Sequence, residues 1–179
     1  MTFETKISAV EYLAQKKGMS IEKTKELHAN VIETARKVGL VYDFDKAVVA
    51  NSFDAHKLIQ LAKSKGLGDH AEESLFKAYF TEGKDMSNHA VLLSLGTEIG
   101  LKESEIIAAL ESDEFSQKVN NDIKEASEIG VTGVPFFVFD RKYAVSGAQP
   151  VETFLNALSQ SLSESKGEGA TCTPGGGCC

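Results

Sequence analysis

This sequence has no tryptophan, only three prolines, and only three cysteines among its 179 residues. The cysteines stand at positions 172, 178 and 179, so everything before Thr171 is thiol-free. A body without thiols excludes a disulfide-stapled scaffold and fits a reducing, cytoplasmic setting. Excess basic charge is also missing: the formal net charge is -7, and no basic patch stands ready for phosphates, which argues against a nucleic-acid partner. No apolar run is long enough to span a bilayer, so no membrane partner is expected. Residues 1–20 show no basic-then-apolar leader ending in a small-residue cleavage site. There is no Ser-His-Asp order, no Walker-type glycine loop and no HExxH, which leaves hydrolase, nucleotide-binding and zinc-protease readings without support. Strand signals are scarce as well, and no repeat with a period of 20 to 50 residues is visible.

What is present is mostly helix. Val10, Leu13 and Ala14 give a stripe over Ser8–Lys17, stopped by Gly18. Ser20 caps a longer helix in which Leu27, Val31, Thr34, Ala35 and Val38 recur until Gly39. Tyr42 and Phe44 alternate with polar neighbours in an extended segment between Leu40 and Ala50. Asn51 or Ser52 starts a helix that turns Ala55, Leu58, Ile59 and Ala62 inward and closes at Gly66. Asp69 with Glu72 approximates a capping box for a helix burying Leu75, Phe76, Tyr79 and Phe80. Ser87 or Asn88 opens one with Val91, Leu92, Leu95 and Ile99. Glu103–Leu110 packs Ile106, Ile107 and Leu110, and Phe115, Val119, Ile123, Ala126 and Ile129 mark another helix running into Gly130.

The one clear hairpin lies in Gly130–Gln149. Phe136–Phe139 is an apolar run suited to a strand covered on both faces. Asp140, Arg141 and Lys142 turn the chain, and Tyr143–Gly147 returns. Pro135 sits at the strand entrance, where a missing N–H is tolerated. Pro150 begins a last helix with Phe154, Leu155, Leu158 and Leu162. From Ser163 onward Ser, Gly, Glu and Lys dominate, the composition of a flexible tail.

Gly-Val-Pro before an apolar strand, then a hairpin, Ser-Gly-Ala-Gln and a helix at Pro150, resembles the C-terminal half of a DsbA-like thioredoxin fold. The FrnE branch of that family is the narrower match. Ala50-Asn-Ser-Phe-Asp-Ala-His56 and Leu75-Phe-Lys-Ala-Tyr-Phe-Thr-Glu-Gly83 extend the likeness over roughly Ile7 to Leu158. The resemblance implies an α+β, mostly helical fold. Residues 1–162 would form one partial domain, with 7–129 mainly a helical insertion and 130–162 the cis-proline loop, hairpin and closing helix. Residues 163–179 would be a cysteine-containing tail.

The implied activity is thiol–disulfide exchange on protein or small-thiol substrates, with no cofactor. Val134 and Pro135 would form the cis-proline loop that faces the redox centre and pairs with an extended substrate segment. Cys172, Cys178 and Cys179 would be auxiliary redox thiols, or else thiols of a tail that stay reduced; as a metal set they are incomplete, so no metal is expected. His56 lies within a shared motif on the active-site side, with plain packing the preferred role, while His28, His70 and His89 read as solvated surface residues.

The family's first strand and CxxC helix start have no counterpart in the sequence, and that pair supplies the reactive thiolate. A truncated chain, inactive in isolation, is therefore the favoured expectation. The alternatives are a kappa-class-like isomerase or transferase using glutathione, and a non-catalytic module that binds a protein. A lone hairpin is marginal in water, so self-association through the Phe136–Phe139 edge is also expected.

Overall fold

A computed structural model describes residues 8–168. The order is α1 (Ala9–Lys17), α2 (Ile21–Lys37), α3 (Phe53–Ser64), α4 (Gly68–Phe80), α5 (His89–Glu98), α6 (Glu103–Glu111), α7 (Asp113–Glu128), β1 (Phe136–Phe139), β2 (Tyr143–Ser146) and α8 (Val151–Glu168). Two compact units divide between Asp122 and Ile123, inside α7. The end of α7 works with the hairpin: Arg141 donates to Glu125 at 2.8 Å.

In the first unit α3 is the central element, packing against α4, α5 and α6. Leu58, Leu92 and Ile106 are its largest fully buried apolar side chains, joined by Leu61, Leu75, Leu95 and Met86. Gly96 allows close approach, since a Cβ there would sit 2.6 Å from Ile106 Cδ1. The start of α1 carries a complete capping box between Ser8 and Glu11. Ser8 also bridges Val48 in antiparallel fashion, tying the 40–50 segment to α1. That segment forms no named strand. Tyr42 and Phe44 instead join an aromatic cluster, with Tyr42 stacked on Phe80 at 4.8 Å and Phe44 on His28 at 4.3 Å.

Several expected burials differ. Of the α2 stripe Ala35 is buried, but Leu27, Val31 and Val38 are exposed; Thr24 is the other buried residue of that helix. Phe76 and Ile107 are exposed as well, because α4 and α6 already fill their inward faces with Leu75, Ala78, Ile106 and Leu110. Asp69 and Glu72 form no capping box. Leu67 N–H returns to Ala62 to close α3, α4 starts at once, and Glu72 pairs with Lys63 at 3.2 Å.

The second unit holds the hairpin and α8. Phe136 pairs with Ser146, Phe137 with Val145, Val138 with Ala144 and Phe139 with Tyr143. Asp140 and Arg141 both take positive φ, 51° and 54°, and Lys142 N–H closes the turn on the Phe139 carbonyl. One face of the sheet meets α8, where Phe137 and Phe154 pack edge to face at 4.9 Å. Only Val145 is buried in the hairpin, and Phe137 and Val138 are 40% exposed, so β1 is not covered on both faces. Leu155, Leu158 and Leu162 on α8, and Ile123 and Ile129 at the end of α7, are exposed too. The closing helix continues beyond Leu162 to Glu168.

Candidate functional site: the Val134–Pro135 loop and a recess in the helical unit

In the second unit the loop after α7 is built by glycine. Gly130, at φ 83°, lets Val131 N–H return to Ala126 and end the helix. The chain then reaches Val134–Pro135, whose peptide bond is cis. The Pro135 carbonyl accepts from Gly147 N–H at 2.8 Å, which fixes the strand entrance against the end of β2. Gly147, at φ 82°, makes that turn, and the Gln149 amide donates back to the Ser146 carbonyl. Val134 is 88% exposed, and among the described residues no hydrogen bond engages its backbone. The loop thus offers an N–H and a C=O beside a fixed strand, the arrangement to which an extended segment adds. Further along, Glu164 accepts from the Tyr143 hydroxyl. That hydrogen bond, with some burial, pushes the phenol above its ordinary pKa.

In the first unit a recess of about 320 Å³ lies between α3 and α4. Ala50, Ser52, His56 and Ile59 line one side, and Leu75, Phe76, Tyr79, Phe80 and Met86 the other. The two stretches quoted for this unit, 50–56 and 75–83, therefore meet in one apolar concavity with His56 exposed at its border. Burial alone pushes Tyr79 above its ordinary pKa.

The same unit holds a charged contact, centred on α3, that sequence reasoning missed. Lys57 is 8% exposed; its Nζ donates to the Leu110 carbonyl at 2.7 Å and lies 3.2 Å from Asp54. Asp54 in turn meets His89 Nε2 at 2.8 Å. Burial pushes the Asp54 carboxyl up, but the hydrogen bonds of His89 and Lys57 outweigh it and hold the group below its usual range. Asp54 and Lys57, three apart on one helix, were the available signal for the pair. Nothing local announced His89 as the third member.

His28 is not a solvated surface residue: its ring stacks on Phe44 and its Nδ1 is buried with no hydrogen-bond partner. His70 is exposed as expected. Cys172, Cys178 and Cys179 lie outside the described residues. Among the described residues no group of three or more His, Cys, Asp or Glu side chains is placed to hold a metal ion.

A helix-rich unit, a hairpin entered through a cis-proline and a closing helix define the α+β class of thioredoxin-like proteins with helical insertions. The match of residues 5–159 to the model of the DSBA-like thioredoxin domain makes the assignment specific: this chain belongs to that family. It is similar to the crystal structure of a probable DsbA oxidoreductase from Streptomyces coelicolor. That likeness has a TM-score of 0.82 and 33% identity, over 90% of this chain and 70% of that one. The comparison with curated proteins returned no match.

Proposed function

We propose that this chain serves thiol–disulfide exchange as a FrnE-like, cytoplasmic member of its family, acting on protein or small-thiol substrates. The observation that carries the reading is the 33% identity to a probable DsbA oxidoreductase over 90% of the chain. The Val134–Pro135 loop would hold the polypeptide, its open N–H and C=O pairing with an extended segment that brings a sulfur into position. The thiol-free body suits a reducing compartment.

Exchange itself requires a thiolate to attack one sulfur of a disulfide and expel the other as a thiolate. The three cysteines form no CxxC pair, and no described helix N-terminus carries a cysteine that would lower a thiol pKa. The chain by itself is therefore expected to be a poor catalyst while keeping the binding half of the chemistry. Insulin reduction and oxidation of a dithiol peptide, run with the purified chain, test this. The expected result is turnover close to the uncatalysed rate, unchanged by Cys172→Ser. Turnover like that of a complete thioredoxin-fold enzyme, surviving Cys172→Ser and lost in Cys178→Ser, would overturn it and move the reactive centre to the tail.

A further inference from the structure

We propose that a recess between α2 and residues 42–45 binds a small zwitterion, an α-amino acid with an aliphatic side chain. The recess has a volume of about 280 Å³ and shares no lining residue with the concavity between α3 and α4. Lys25, His28, Ala29 and Ile32 recur at helical spacing, so one face of α2 forms its wall. Val10 on α1 and the rings of Tyr42 and Phe44 add apolar surface, and Asp43 and Asp45 bring two carboxylates.

His28 supplies a fixed donor. Its ring stacks on Phe44 at 4.3 Å, which holds the imidazole in one orientation. Nδ1 is buried with no hydrogen-bond partner, while Nε2 is accessible and bonded to no described residue. A buried orphan N–H is rarer than a buried orphan acceptor, so the neutral ring keeps its proton on Nε2. Lys25, one turn earlier, acts on the charge of Glu22 but is bridged to no carboxylate. An ammonium and an imidazole N–H on one helix face together suit a carboxylate. Asp43 already holds Lys46 at 2.8 Å, whereas Asp45 forms no ion pair among the described residues. Asp45 is therefore the acid left for a ligand's ammonium.

The two signs together select the ligand. A simple carboxylate drawn to Lys25 and His28 would meet Asp43 and Asp45, and a simple amine drawn to Asp45 would meet Lys25. A molecule with both groups on one carbon satisfies each side without that repulsion. The volume, just under the roughly 300 Å³ at which drug-sized pockets begin, fits one amino acid. The side chains of Val10, Ala29 and Ile32 offer apolar surface and no hydrogen bond, so an aliphatic group gains most by burial there. The recess shares no residue with the Val134 loop and stands independently of the thiol–disulfide reading.

Titration of the full chain with L-leucine, followed through the His28 Cε1–H and Ile32 methyl resonances, tests the proposal. Two further probes isolate the charges: 4-methylpentanoate lacks only the amine, and 3-methylbutylamine lacks only the carboxylate. Leucine is expected to give saturable shifts at both residues, and either probe to bind about tenfold or more weakly. Lys25→Gln should abolish the preference for leucine over the amine, and Asp45→Asn the preference over the carboxylate. Both positions are exposed, so these replacements disturb no packing. Absence of saturation at about 10 mM leucine, tenfold above a Kd of about 1 mM, would overturn the proposal. Shifts confined to other residues, or leucine binding unchanged in both variants, would do the same. Equal binding of leucine and 4-methylpentanoate would also overturn it, since Asp45 would then recognise nothing.

Discussion

Asp54 carries more of the helical unit than its place in the first turn of α3 suggests. Its carboxylate accepts from Lys57 on its own helix and from His89 at the start of α5, and Lys57 reaches on to the last turn of α6. One acid thus ties three helices. Its folded pKa is depressed, so the contribution to stability is present above the unfolded carboxyl pKa, about 3.9, and is lost as pH falls through the folded value. Asp54→Asn should lower unfolding stability by about 1 kcal/mol near neutral pH. The difference from wild type should be smaller at a pH below the unfolded carboxyl value than near neutral pH. Urea melts at the two pH values check this, and a loss equal at both would show that the carboxylate's charge is not the cause. The residues of this contact were legible only as an i,i+3 pair, since His89 is distant in sequence. His28 was misjudged for a similar reason: its neighbours on α2 are polar, and the burial of its Nδ1 comes from Phe44 in the following segment.

At the level of elements, helix starts and stops were readable because they depend on local chemistry. Ser8, Ser20 and Asn88 accept from their first-turn amides, and Gly18 ends α1 at φ 63°. Which side of a helix meets a neighbour was less readable. The α2 stripe has a helical period, yet α2 packs only its α1 side and most of the stripe stands exposed. Phe136–Phe139 likewise read as a doubly covered strand from its composition alone, and only its α8 side is packed. Composition reports what a surface can bury, and the neighbour decides whether it does. The α5–α6 contact shows that dependence most sharply. Gly96→Ala would place its Cβ 2.6 Å from Ile106 Cδ1 and 3.1 Å from Leu58 Cδ1, both on fully buried side chains. Overpacking of this kind costs about 1 to 3 kcal/mol, more than the helix-propensity gain of up to about 1 kcal/mol. Thermal or urea unfolding should show the loss. Ile106→Val should recover part of it in the double variant, because removing Cδ1 relieves the clash. Additive losses in that double variant would locate the strain elsewhere.

For the whole molecule, family membership follows from the match of residues 5–159, and the loop that the family likeness pointed to lies at the entrance of the hairpin. The sequence order of three separated stretches made that class legible before any coordinates. The meeting of 50–56 and 75–83 around one recess was not legible, because it depends on how α3 packs on α4. The central claim is that Val134 presents its open backbone to an extended polypeptide. Titrating the isotope-labelled chain with a reduced, permanently unfolded polypeptide, such as carboxymethylated lactalbumin, and following backbone amide resonances tests it most directly. The account predicts saturable shifts at Val134 and Phe136, with the Phe136 shift lost in Val134→Pro. Saturable binding that leaves these two amides unmoved would contradict it.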